Sequence, residues 1–277
     1  MKLGFNLLLW TTHVVDEHTP LFDRLKATGY DGVEIPLFEG EVSHYQRLGR
    51  TLKDAGLGAS AVTVSPSGKS AIAAAAAERA RALDHLKWAI DCTAALGANV
   101  LCGPFHQPLG EFSGSGPTEV EKSHCVEVHK QAAQYAARSG IALSVEPLNR
   151  FECYFLNTAS DAQALVERVD EPNYGYLYDT FHFNIEEKSL TKAIRATASA
   201  INHVHISEND RGTPGTGHVD FAAVLAMMAG LPSKHSARRC PISRRQPRIW
   251  RPLFLEPEDV YQGAFRLMRE GWGQHSR

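Results

Sequence analysis

The sequence predicts an α/β protein in which strand and helix alternate and close as a (β/α)8 barrel. Three observations predict it. Short apolar runs rich in Val, Ile, Leu and Tyr recur seven times, longer amphipathic stretches separate them, and the 277 residues match what one such barrel uses. Strands separated by helices must pair in parallel, because each crossover returns the chain to the same edge. Seven units at this length favour closure over an open doubly wound sheet.

The strand candidates are, in order, "KLGFNLLLW", "DGVEIP", "LGASAVTV", "ANVLCGP", "IALSVEP", "YGYLYDT" and "INHVHIS". Helical stretches between them cover Leu21–Thr28, Val42–Ala55, Ala73–Leu96, Val120–Ser139, Ala159–Val169 and Leu190–Ala200. Several end in glycine, as in "KATGYDG" and "AALGAN", where a left-handed residue can close a helix. Phe221–Met228 would be the seventh helix and Glu258–Glu270 the eighth, which leaves the eighth strand to about 231–249. That stretch differs from the rest. From Gly230 to Trp250 five arginines, three prolines and three serines crowd together with no acid and no apolar periodicity, and Pro241 and Pro247 each lack a ladder donor. The eighth strand is therefore expected to be degraded or irregular, with a distorted or partly open closure between strands 7 and 1. No linker divides the chain elsewhere, so 1–277 reads as a single barrel domain.

Composition narrows the function. A formal net charge of -2 gives no field to attract a polyanion, which argues against nucleic acid or an acidic membrane surface and for a small ligand. Five cysteines form no CxxC pair, as expected of reduced thiols in a cytoplasmic protein. The apolar N-terminus turns polar from Thr11 to Glu17, so it reads as a first strand and not a signal peptide, and no run is long enough to span a membrane.

In such barrels the working residues project from the C-terminal ends of strands. Glu146 closes "ALSVE", Asp179 closes "YGYLYD", and His205 sits within "NHVHIS". Each is ionisable among apolar neighbours, where an isolated charge costs several kcal/mol unless it is paired or bound to metal. Two carboxylates and one imidazole on successive strands suit Mn2+, Co2+ or Mg2+, with Zn2+ also compatible. A polar layer follows each: Asn149, Arg150 and Glu152; His182 and Asn184; Glu208, Asn209 and Arg211. These side chains could grip the hydroxyls of a polar substrate, and Phe5, Trp10 and Phe105 could shape its pocket.

The motifs "SVEPLNRFE", "LYDTFHFNIEE" and "HVHISENDRGTPGTGHVDF" resemble those of the ketose 3-epimerases, the D-tagatose and D-psicose (allulose) group of the xylose-isomerase-like TIM barrels. The resemblance implies epimerisation of a free ketose at C3 through an enediolate. It also implies a divalent metal, Mn2+ foremost, held by two glutamates, an aspartate and a histidine. Residue by residue, the first glutamate is Glu146, acid/base and ligand; the aspartate is Asp179 and the histidine His205. The substrate-gripping glutamate, histidine and arginine are Glu152, His182 and Arg211. A dimer or tetramer is implied as well.

One expected residue is missing. The family's second catalytic glutamate ends strand 8, yet no Asp or Glu stands between Asp220 and Glu256. Either the stretch from about Gly230 to Arg248 is out of register with an ancestral reading frame, or it is a basic insertion in which His235, Cys240 or Glu256 replaces the lost ligand. Two further readings follow for the function: an aldose-ketose or hydroxypyruvate-type isomerase using the same metal site, or a sugar- or metal-binding barrel that has lost catalysis. "SPSGKS" and "GTPGTG" lack phosphate-loop and dinucleotide-binding spacing and read as loops. His124 and His129, five apart on a helix, read as solvent-facing.

Overall fold

The computed structural model describes residues 2–229 and the backbone of 248–250. Its elements run β1 (Gly4–Asn6), α1 (Thr19–Thr28), β2 (Gly32–Pro36), α2 (Val42–Asp54), β3 (Gly58–Val62), α3 (Ala76–Ala95), β4 (Val100–Gly103), α4 (Glu119–Ala137) and β5 (Ala142–Val145). The chain continues through α5 (Ala159–Val169), β6 (Tyr174–Asp179), α6 (Thr180–Glu186), α7 (Leu190–Thr197), β7 (Ile201–His205), α8 (Phe221–Ala229) and β8 (Arg248–Trp250). The strands form one sheet in sequence order, each parallel to the next, as a (β/α)8 barrel requires. Their near-continuous apolar character follows from burial on both faces, one against the barrel interior and one against the helices. All five residues of β2 are buried, for example.

The eighth strand is short. β8 begins directly after Pro247, at the end of the stretch expected to carry it, and pairs in register with β7 from His203↔Arg248 to His205↔Trp250. It also comes alongside β1, but no ladder joins β8 to β1 among the described residues. The rest of the arginine-rich stretch, the candidate replacements His235, Cys240 and Glu256, and the eighth helix expected at Glu258–Glu270 lie outside the described residues.

Several expectations need correction. The first apolar run is not one strand. Asn6 Oδ1 accepts from Leu8 N at 2.9 Å and turns Leu7–Leu9 into a 3-10 helix. α6 was not anticipated, because seven residues are too few to show a helical period. His129 is fully buried, its Nδ1 2.6 Å from the Tyr174 hydroxyl, so it does not face solvent. Phe5 and Phe105 are core residues, the first packed edge-on to Tyr30 and the second to His129. Cys92, Cys102, Cys125 and Cys153 are buried free thiols. No helix among the described residues is long and apolar enough to cross a membrane.

Candidate active site

Glu146, Asp179 and His205 stand at the ends of β5, β6 and β7, and the parallel register brings them together. The Glu146 backbone N–H donates to Gly103 O at 2.9 Å, which ties it to the end of β4. Its close approach depends on a glycine. Gly103 has φ +123° and a Cβ there would lie 2.0 Å from Thr63 O. Asp179 is both the last residue of β6 and the N-cap of α6. Its Oδ1 accepts from Phe181 N at 2.7 Å, while Oδ2 lies 3.6 Å from His205 Nδ1. His205 Nδ1 is also 3.8 Å from Glu146 Oε1. That nitrogen is buried and has no hydrogen-bond partner among the described residues.

The expected sugar-gripping residues surround this centre. His182, on the first turns of α6, lies with Nε2 3.7 Å from Glu146 Oε1. The Asn149 backbone N–H donates to His182 Nδ1 at 3.0 Å, and Arg211 Nη2 lies 3.3 Å from His182 Nε2. Glu152 Oε1 accepts from Asn149 Nδ2 at 2.8 Å and lies 3.7 Å from Arg211 Nη2. Arg211 rests its guanidinium on the Phe181 ring at 3.7 Å and reaches within 4.0 Å of Asp179 Oδ2. Its backbone is left-handed, φ 63°, an uncommon conformation for a side chain of this kind. The loop that imposes it is organised by the fully buried Glu208. That carboxylate accepts from Asn209 N at 3.0 Å, Gly215 N at 2.8 Å and Val219 N at 3.0 Å.

Four of the polar residues read as possible sugar contacts have structural partners instead. Arg150, itself exposed, pairs with Glu186, Nη2 to Oε2 at 2.9 Å. Asn184 meets His218, and Asn209 Oδ1 accepts from the His218 backbone N–H. Glu208 is committed to its own loop.

A residue that sequence reasoning passed over lies behind the centre. Glu34 on β2 is fully buried and reaches across the barrel interior to β7, 2.8 Å from His205 Nε2 and 2.9 Å from His203 Nε2. The signal was available, since "DGVEIP" sets an acid in an apolar strand as "ALSVE" does.

Electrostatics follow from burial and crowding. Burial pushes the Glu146 carboxyl up to about 8, Asp179 and Glu34 push the same way, and His205 and Arg211 oppose them. For Asp179 burial also works against the charge, but His205, His182 and Arg211 outweigh it and hold the carboxyl well below the usual range. Burial disfavours charge on His205, yet Glu34, Asp179 and Glu146 override it and raise the ring to about 10. Burial takes His182 down to about 3; Asp179 opposes this while Arg211 and His205 add to it.

This donor set fits a divalent cation. Candidate ligand atoms of Glu146, Asp179 and His182 all lie within 4.8 Å of one another. Of the two nearby imidazoles, His205 is the better ligand, because its Nδ1 has no hydrogen-bond partner among the described residues, whereas the Asn149 N–H occupies His182 Nδ1 and Arg211 Nη2 lies 3.3 Å from His182 Nε2. Two carboxylate oxygens and one nitrogen suit a hard or borderline cation.

Comparison with known proteins agrees with this architecture. The family described as "Xylose isomerase-like TIM barrel" matches residues 22–235. A ketose 3-epimerase of Arthrobacter globiformis is 31% identical over 98% of this chain and 96% of that protein. An L-ribulose 3-epimerase of Methylomonas sp. (strain DH-1) is 34% identical over 87% of each. A solved L-ribulose 3-epimerase superposes with TM-score 0.86 at 24% identity, covering 99% of this chain and 96% of its own, which bears on fold alone. A D-allulose 3-epimerase from Methylomonas sp. in complex with D-allulose gives TM-score 0.84 at 25% identity, covering 98% and 96%. With a barrel-mouth centre of two acids and a histidine, and full-length similarity of this kind, the chain belongs to the ketose 3-epimerases of the xylose isomerase-like TIM barrel family.

Proposed function

We propose that this chain epimerises a free ketose at C3, with sugars of the D-psicose, D-fructose, D-tagatose or L-ribulose type as substrates. The observation that carries the reading is the convergence of Glu146, Asp179 and His205 Nδ1 at three successive strand ends. The names of the relatives favour it over an aldose-ketose or hydroxypyruvate-type isomerase.

The hydrogen at C3 lies beside the C2 carbonyl and can leave as a proton if negative charge spreading onto O2 is stabilised. Glu146, Asp179 and His205 would hold a divalent cation, Mn2+ foremost with Co2+ or Mg2+ as alternatives, and when bound it would supply that stabilisation as a Lewis acid. Glu146 is the proton carrier on one face of the sugar, and its raised carboxyl suits exchange near neutral pH. The Arg211 guanidinium donates to sugar oxygens, His182 Nε2 lies beside them, and Glu152 accepts from a hydroxyl. Burial of Glu146, Asp179 and His205 keeps bulk water from the reacting carbon.

Inversion at C3 needs a second proton carrier on the opposite face. The family's place for it falls where this sequence has no acid between Asp220 and Glu256. The test is NMR in D2O of D-fructose, D-psicose, D-tagatose and L-ribulose with the Mn2+-loaded protein. Deuterium at C3 together with the epimer is the expected result, and it requires a group other than a strand-8 glutamate to deliver the second proton. No exchange by folded, metal-loaded protein would overturn the proposal and leave a binding barrel. The same reading makes the chain one cytoplasmic domain working as a dimer or tetramer.

A further inference from the structure

The Glu34 carboxylate is surrounded by donors. Oε1 accepts from Asn6 Nδ2 at 2.9 Å and faces His205 Nε2 at 2.8 Å. Oε2 accepts from Ser60 Oγ at 2.7 Å and Cys102 Sγ at 3.2 Å, and faces His203 Nε2 at 2.9 Å. With Asn6 donating to one oxygen and Ser60 and Cys102 to the other, neither oxygen has room for a proton of its own. An ionised carboxylate accepts and never donates, so both imidazoles must place an Nε2–H on it. For His205 this has a directional consequence. When the ring gives up a proton to bind a metal, the one held by Glu34 stays on Nε2 and the lone pair is left on Nδ1. Nδ1 is the atom that faces Glu146 and Asp179 without a hydrogen bond.

We propose that Glu34 is a positioning residue of this site: it fixes the ring orientation and tautomer of His205 so that Nδ1 is presented to the cation held with Glu146 and Asp179. The inference rests on the metal-site reading above. Strand periodicity explains the second imidazole. His203 lies two residues before His205 on the same face of β7, so the two rings clamp one oxygen each and the carboxylate cannot rotate. Glu34, Cys102, His203 and His205 also have the donor types of a zinc site of their own. Proton donors already engage both oxygens, however, and burial, Glu34 and Glu146 keep Cys102 a thiol. A cation there would have to expel the Asn6 and Ser60 bonds.

The test compares Mn2+ affinity, from EPR titration, with the metal-free melting temperature in three variants. Glu34→Gln keeps the side chain's shape but leaves one acceptor oxygen for two imidazoles. Ser60→Ala removes another bond to the same carboxylate without touching His205. Asp179→Asn removes a direct ligand. Glu34→Gln is expected to weaken Mn2+ binding about 10- to 100-fold. Ser60→Ala should stay within about threefold of the native affinity even where its melting temperature falls as far. Native affinity in Glu34→Gln, with loss in Asp179→Asn, overturns the positioning role. Native affinity in Asp179→Asn overturns the metal-site reading instead. Should Glu34→Gln fail to fold, 15N-histidine NMR of the native Zn2+-loaded protein decides. A protonated His205 Nε2 is expected, and a protonated Nδ1 overturns the proposal.

Discussion

Loading the site with a divalent cation should expel protons, and their number can be worked from the pocket. At pH 7 the metal-free site holds one proton on Glu146, whose carboxyl lies at about 8, and an extra one on His205, whose ring lies at about 10. Both must leave before the carboxylate oxygen and Nδ1 can bind a metal. Each displaced proton raises apparent affinity about tenfold per pH unit below its pKa. The logarithm of Mn2+ affinity should therefore climb with a slope of about 2 up to about pH 8, then about 1 up to about pH 10. Calorimetric titration in buffers of different ionisation enthalpy counts the released protons directly. A pH-independent affinity with no protons released at pH 7 would refute the reasoning. Stability follows with a definite sign. Glu146 is raised from an ordinary 4.5 and His205 from 6.5. The native metal-free state thus binds more protons than the unfolded chain in each window. The stabilisation is complete below 4.5 for Glu146 and below 6.5 for His205, and it is lost as pH rises through about 8 and about 10 respectively. The metal-free melting temperature should fall over that range, and the increment on adding Mn2+ should widen.

Glu208→Gln sets an amide against three backbone N–H donors and should cost about 2–4 kcal/mol. That is a melting decrease of about 5–15 °C. Because Arg211 N bonds to Glu208 O at 3.1 Å, the ketose KM should rise as well; unchanged melting and KM would show that the loop is not braced there. Gly103→Ala forces a Cβ to within 2.0 Å of Thr63 O at a left-handed φ. It should lower stability by at least about 2 kcal/mol in denaturant unfolding, and it should depress turnover through the Gly103 O bond to Glu146 N. An alanine variant as stable as the parent would contradict this.

Strand order, and the acids that meet at the candidate site, were legible because each rests on local pattern. Glu146 and Asp179 are charges closing apolar runs, and a βα alternation of this length has few ways to close. Glu34 gave the same local signal, but its meaning lies in partners 169 and 171 residues away, which no spacing rule connects. His129 misled for a related reason. Its helix offset from His124 excludes a shared face, whereas its burial is set by Tyr174, 45 residues on. Arg150 and Glu152 are two residues apart in one loop, yet one turns outward to Glu186 and the other inward to Arg211. That divergence depends on α6, whose seven residues leave no periodic trace.

Asp179 has two employers. One oxygen closes the first turn of α6, and the other faces His205. The carboxylate is therefore locked in place by the backbone before any cation arrives, and little rotamer freedom remains to be lost on binding. The double duty also narrows what the position can become. Glutamate would carry the second oxygen past its mark or surrender the helix start, and asparagine could serve the helix while failing the metal. The helix that carries His182 and the centre that Glu146 completes thus share one side chain, so that a change made to tune either is felt by both.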